Sequence, residues 1–204
     1  ESSTELASLL ANLESDSPMP ASVRFGLETM LADLASRAVA LPLSRWLSEN
    51  PANAVPVNAF LTGDTSAIEL QIDEKLRAGY QTFKLKLLGD PAGDLVKVQA
   101  VRAQLGGKPR LRLDANRAYE FKDALELLRE LEHFEIEFVE EPLRAEELDR
   151  LPELARQTSM PLALDETVLQ PEVWREALKS RALKAVILKP TLVGGIGRSW
   201  MLAA

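Results

Sequence analysis

From Val55 to Lys189 the chain alternates between two hydrophobic patterns. Short apolar runs occur at Val55–Leu61, Thr82–Leu87, Arg110–Asp114, Ile136–Glu140, Pro161–Asp165 and Ala185–Lys189. Runs of this length, bounded by turn residues, predict strands. Between them lie amphipathic stretches near 66–79, 92–105, 121–132, 146–157 and 172–180, which predict helices. Thr65 or Ser66 is the expected cap of the first, and Pro171 the expected opening of the last. Before Val55 the pattern is helical only. Ser22 to Ala38 places Val23, Phe25, Leu27, Met30, Leu31 and Leu34 close to a 3.6-residue period, and Pro51 and Pro56 then interrupt the chain.

Repeated strand–helix alternation implies parallel strands with helical crossovers. Six strands suit either an open doubly wound sheet or an incomplete (β/α)8-type barrel, and periodicity alone does not choose. A complete barrel takes about 250 residues. Only 150 residues follow from Val55, so the sequence is expected to stop before a barrel closes. It also begins at Glu1 without a methionine, and its true start is expected to lie upstream.

Each predicted strand from the second onward ends in a residue of nameable chemistry. Lys84 and Lys86 end the second, and Asp114, Glu140, Asp165 and Lys189 end the third to sixth. The gaps from Lys86 onward are 28, 26, 25 and 24 residues, the length of one strand–helix unit. These residues therefore fall at equivalent places in consecutive units. In a barrel or an open parallel sheet that place is the carboxyl edge, where ligands bind.

Lys84 and Lys86 are two residues apart and point the same way on a strand. Mutual repulsion and a nearby cation are expected to lower the proton affinity of one of them, making it a base near neutral pH. Asp114, Glu140 and Asp165 would converge from adjacent strands. Three carboxylates together resist full ionisation unless a cation neutralises them. Lys189, on the sixth strand, would face Lys86 from the opposite side. That layout suits proton abstraction next to a carboxylate, with the cation stabilising the enediolate.

Composition narrows the cation. The chain has no cysteine and one histidine, His133, so a thiolate or multi-histidine centre is excluded. Oxygen ligands favour a hard ion, Mg²⁺ first and Mn²⁺ as the alternative. The net charge of −7 argues against nucleic acid as a partner. No apolar run approaches the ~20 residues of a membrane span, and no signal peptide is visible, so the expected location is the cytoplasm.

Each residue alone has a plainer reading. An aspartate ending a strand is commonly a turn or cap residue, and a Lys-x-Lys pair a solvated face. His133 reads as a surface residue or a helix C-terminal cation. Gly194-Gly195-Ile196-Gly197 reads first as a tight turn and second as a phosphate cradle. Trp46, Trp174 and Trp200 read as packing residues, and Glu146, Glu147 and Asp149 as solvated. Agreement across consecutive units is what favours a common site.

The ordered segments Thr82-Phe83-Lys84-Leu85-Lys86, Leu113-Asp114-Ala115-Asn116, Val139-Glu140-Glu141-Pro142, Leu164-Asp165-Glu166-Thr167 and Ile187-Leu188-Lys189-Pro190 resemble the motifs of the enolase superfamily. More narrowly they resemble its muconate-lactonising subgroup, over about residues 20–204. The resemblance implies an incomplete (β/α)7β barrel over 53–204 and a helical remnant of an α+β capping domain over 1–52. It also implies that the closing strands and the first part of the cap lie outside this sequence. By motif match, Asp114, Glu140 and Asp165 would be the Mg²⁺ ligands. Lys86 would be the acid/base, Lys84 its electrostatic neighbour and Lys189 the opposite-face cation. Asn116 and Glu141 would stand behind the ligands.

Leu188-Lys189-Pro190-Thr191-Leu192-Val193-Gly194-Gly195 looks most like o-succinylbenzoate synthases. This implies a lyase that performs a syn dehydration of 2-succinyl-6-hydroxy-2,4-cyclohexadiene-1-carboxylate in menaquinone or phylloquinone biosynthesis. The alternative in the same superfamily is an N-acyl amino acid racemase or dipeptide epimerase. The alternatives of another class are a noncatalytic barrel fragment or binding module, and an open nucleotide-binding sheet using Gly194–Gly197.

Overall fold

Six parallel strands form one sheet: β1 (Ala59–Leu61), β2 (Thr82–Lys86), β3 (Arg110–Asp114), β4 (Ile136–Glu140), β5 (Leu162–Leu164) and β6 (Leu183–Val186). They lie side by side in sequence order. This consecutive order has no switch point, so the doubly wound nucleotide-binding alternative falls. The computed structural model describes residues 19–179 and 182–203. Helices α1 (Ala21–Ala38) and α2 (Leu43–Leu47) precede the sheet. Helices α3 (Thr65–Arg77), α4 (Pro91–Leu105), α5 (Phe121–Leu131), α6 (Leu151–Gln157) and α7 (Pro171–Ala177) connect the strands, and α8 (Pro190–Val193) and α9 (Ile196–Ala203) follow β6. Six consecutive strand–helix units make part of a barrel of the TIM type.

The chain divides into two compact units. One runs from Pro56 to Ile187, and the other joins the described residues up to Val55 with those from Leu188 onward. In the first, alternate strand residues fix the layers. Phe83, Leu85, Leu111 and Leu113 are fully buried. They share the core with Ile68 and Ile72 of α3, Val98 and Val101 of α4, and Leu128 and Leu131 of α5. Burying one such leucine contributes about 2 kcal/mol. The opposite strand face carries Phe60, Lys84, Arg112 and Asp114, so the site residues project away from the helix layer.

Several boundaries differ from the sequence reading. The first strand starts at Ala59 rather than Val55; Val55 and Val57 are exposed, and Pro56 between them has no N–H for a ladder. Asp64, not Thr65 or Ser66, caps α3, its Oδ1 accepting from the Ala67 amide at 2.8 Å. The helix expected over 146–157 is a 3₁₀ turn at Ala145–Arg150 followed by α6, which Pro152 restarts. Pro171 does open α7, which ends at Ala177; Ser180 lies outside the described residues. The last strand is Leu183–Val186 rather than Ala185–Lys189. Pro190 occupies the first turn of α8, which makes Lys189 its N-cap instead of a strand residue.

In the second unit, α1 packs on α8 and α9. Buried Glu28 accepts from the Gly197 amide at 2.9 Å. Gly195 has φ of 140°, and a Cβ there would overlap the Glu28 carboxylate. The glycine turn therefore already holds an anion, the carboxylate of Glu28, where a phosphate was the alternative. Among the described residues no helix is long and apolar enough to cross a membrane.

Candidate metal and catalytic site

Strand register builds the site. Lys86 of β2 pairs with Asp114 of β3, which pairs with Glu140 of β4. The three Cα atoms therefore form one row, each step about 5 Å. Lys84 lies one side-chain layer below Lys86 and extends to both acids. Its Nζ is 2.9 Å from Asp114 Oδ2 and 2.7 Å from Glu140 Oε2. Asp165 follows β5 directly and is buried.

Glu140 is 1% exposed. Burial pushes its carboxyl up to about 7; the Lys84 hydrogen bond opposes this, and the charges of Asp114 and Asp165 add to it. Burial acts to lower the Lys84 ammonium, yet its hydrogen bonds to Glu140 and Asp114 raise it above the usual lysine value. Lys84 is therefore the wrong lysine for a base. Lys86 is exposed at the rim. Lys189 lies in the other unit, as the N-cap of α8.

Among the described residues, no three His, Cys, Asp or Glu side chains meet closely enough to enclose an ion. The Lys84 ammonium sits between two of the three acids instead. The donor chemistry nevertheless fits a hard dication. It is all oxygen, and its central member is a buried carboxylate that resists ionisation beside two others. Asp114, Glu140 and Asp165 would hold that ion.

Behind this row stands a hydrogen-bonded layer that sequence reasoning found only in part. The Asn116 amide donates to Asp114 Oδ1 at 3.2 Å. Glu141, adjacent to Glu140, is 2% exposed and receives donors from the Asp165 and Thr167 amides, the Thr167 hydroxyl and Arg117. Asp94 of α4 was missed altogether. Its carboxylate accepts from the amides of Leu88, Gly89 and Asp90, the loop directly after Lys86. The Tyr119 hydroxyl also donates to Asp94, at 2.6 Å. Burial first, and Asp94 second, push this phenol far above its ordinary range. Gly89, with φ of 85°, lies so close to Ala118 that a Cβ would meet it at 3.1 Å.

The plainer residues also find places. His133 is exposed after α5. Glu147, expected in solvent, accepts from the Phe121 amide at the start of α5. Trp174 packs on the core and donates to Val168 O, whereas Trp200 is mostly exposed rather than packed.

Comparison with known proteins supplies the lineage. The family described as enolase C-terminal domain-like matches residues 67–204. An o-succinylbenzoate synthase of Thermobifida fusca (strain YX) is 33% identical over 156 residues, covering 74% of this chain and 47% of that protein. An N-succinylamino acid racemase of an Amycolatopsis species is 38% identical over 120 residues, covering 59% of this chain and 32% of that protein. The muconate cycloisomerase of Pseudomonas fluorescens superposes with a TM-score of 0.88 at 25% identity, over 97% of this chain and 56% of that one. An enolase-superfamily member from Roseovarius nubinhibens ISM, complexed with magnesium, gives 0.81 at 26% identity, over 97% and 53%. The chain spans about half the length of these structures, and less than half of the two curated relatives. It belongs to the enolase superfamily, among the relatives of muconate-lactonising enzymes.

Proposed function

We propose that the intact protein is a Mg²⁺-dependent carbon–oxygen lyase of the o-succinylbenzoate synthase type. Its substrate would be 2-succinyl-6-hydroxy-2,4-cyclohexadiene-1-carboxylate, on the route to menaquinone or phylloquinone, in the cytoplasm. The observation that carries this reading is the row Lys86–Asp114–Glu140 on three adjacent strands, with Lys84 bridging its two acids. A bound dication would stabilise negative charge gathering on the substrate carboxylate.

The chain's own residues perform the rest. The neutral Lys86 amine takes the α-proton, and the C–H electron pair moves into an enediolate. The C–O bond to the β-hydroxyl then breaks. The Lys86 ammonium returns its proton to that oxygen, which leaves as water. Lys84 stays protonated between Asp114 and Glu140, which hold its ammonium at 2.9 and 2.7 Å. Lys189 is assigned to the opposite face by its motif, where it would offset the anionic intermediate.

Lys86→Ala in the intact protein is expected to lower kcat/KM for dehydration by about 10³-fold or more, with Mg²⁺ affinity little changed. Retained turnover would remove Lys86 from this role. A second reading has its own support in the 38% identity to the racemase. In that case Lys86 and Lys189 are two bases on opposite faces of an N-acyl amino acid. Solvent deuterium entering the α-carbon of such substrates, without dehydration, would favour it. Failure to bind Mg²⁺ at millimolar concentration would favour a noncatalytic module instead.

A further inference from the structure

Three residues behind the candidate ligands form a closed set of hydrogen bonds, of which the motifs singled out only Glu141 for such a place. Arg117 lies three residues beyond Asp114, Glu141 next to Glu140, and Thr167 two beyond Asp165. Glu141 Oε1 accepts from the Asp165 amide at 2.7 Å and the Thr167 amide at 2.8 Å. Glu141 Oε2 accepts from the Thr167 hydroxyl at 2.7 Å and Arg117 Nε at 3.2 Å. Arg117 Nη2 closes the circuit on Thr167 Oγ1 at 3.0 Å. The Arg117 amide donates to Glu141 O at 2.7 Å, and the Glu141 amide to Ala163 O at 3.1 Å.

The backbone here is held against its preference. Asn116, Arg117 and Glu141 have φ of 47°, 60° and 45°. Left-handed geometry costs a residue with a side chain about 1 kcal/mol, and it persists where surroundings over-determine it. Glu141 itself is a buried charge, which requires a partner and a full set of donors. It has both. Arg117 suits the task because a guanidinium can reach two acceptors at fixed angles, which an ammonium cannot.

We propose that Arg117, Glu141 and Thr167 act as a positioning clip that fixes the carboxylates of Asp114, Glu140 and Asp165 relative to one another for metal binding. The proposal rests on the metal reading above. Glu141 pins the amide of Asp165 while being the neighbour of Glu140, so two candidate ligands, one ending β4 and one following β5, are referred to one side chain. Arg117 refers the third, through the turn that follows Asp114. Arg117 also neutralises Glu141, so a fourth carboxylate stands behind the acids without adding an uncompensated charge beside Glu140.

The test is Mn²⁺ titration of the intact protein, with free ion read by electron paramagnetic resonance, alongside thermal unfolding of the metal-free form. Arg117→Met is expected to weaken Mn²⁺ binding at least about tenfold, with the number of sites unchanged. Thr167→Val is expected to weaken it by a smaller factor. Arg117→Lys, which restores charge without the second hydrogen bond, should fall between wild type and Arg117→Met. Arg129→Met, on the exposed face of α5, should leave it unchanged. If Arg117→Met fails to fold, Thr167→Val and Arg117→Lys carry the test. Lowered unfolding temperatures with unchanged Mn²⁺ affinity would show a structural brace and overturn the clip alone. A wild-type protein that binds no Mn²⁺ would overturn the metal reading and the clip with it.

Discussion

The two ends of the strands in the Pro56–Ile187 unit each rely on one charged side chain, in opposite senses. At the amino end, the Arg102 guanidinium donates to the carbonyls of Phe134, Gly106, Pro109 and Glu135, at 2.9–3.0 Å. At the carboxyl end, the Glu141 carboxylate accepts four donors from Asp165, Thr167 and Arg117. Arg102 gathers four loop carbonyls, and no candidate ligand adjoins it. Glu141 gathers donors beside a row of acids, on a backbone bent into left-handed geometry at three residues. One end is arranged for stability. The other carries disfavoured charge and more of the strain, left-handed at three residues where the amino end has Glu135 alone, as a binding edge does.

The largest contrast is expected from Glu140→Gln. Loss of a candidate ligand should abolish the rise in unfolding temperature that Mg²⁺ produces. The metal-free protein should meanwhile become no less stable at pH 8, because the buried charge is gone. A variant that keeps its Mg²⁺ response would remove Glu140 from the site. Arg102→Met should do the reverse. It removes the donor of two part-buried carbonyls, those of Phe134 and Pro109, and is expected to cost about 3 kcal/mol by urea unfolding, with Mg²⁺ affinity unchanged. Loss of Mg²⁺ binding there would erase the division between the two ends.

A smaller effect belongs to Tyr119→Phe. Asp94 keeps its three backbone donors, so the loss should be about 1 kcal/mol. The smallest is a pH effect. The Glu140 carboxyl is raised from its ordinary value to about 7. Its protonated form therefore favours the folded metal-free state at low pH, and that contribution fades as pH rises through 7. Mg²⁺ requires the ionised form, so its stabilising shift should be larger at pH 8 than at pH 6. An equal shift at both would show that Glu140 does not govern binding.

The strands that frame this edge were legible because their chemistry repeats with the unit length. Arg110–Asp114 and Ile136–Glu140 have the bounds their alternation predicts. The chain after β6 was less legible. Ile187 and Leu188 are apolar and look like strand, but Pro190 ends the ladder early and leaves Lys189 as a helix cap. The row of Lys86, Asp114 and Glu140 followed from spacing, whereas spacing left the consecutive strand order open against a doubly wound one. The supporting layer did not. Arg117, Thr167 and Tyr119 find their main side-chain partners 24 to 50 residues away, and Asp94 receives Tyr119 from 25 residues away. No periodicity encodes such pairs, and the residue types are common on surfaces. The expected lowering of one lysine's proton affinity is not what Lys84 shows. Sequence could not foresee that Lys84 would sit between two carboxylates and hold its proton more tightly.

The central claim is that Asp114, Glu140 and Asp165 hold one divalent cation. Crystals of the intact protein soaked in Mn²⁺ and measured by anomalous diffraction test this most directly. The account predicts one strong peak with an oxygen from each of the three side chains at about 2.0–2.3 Å, and the Lys84 ammonium displaced from between Asp114 and Glu140. A peak held by other residues, or none beside Glu140 while Lys84 keeps its place, would contradict it.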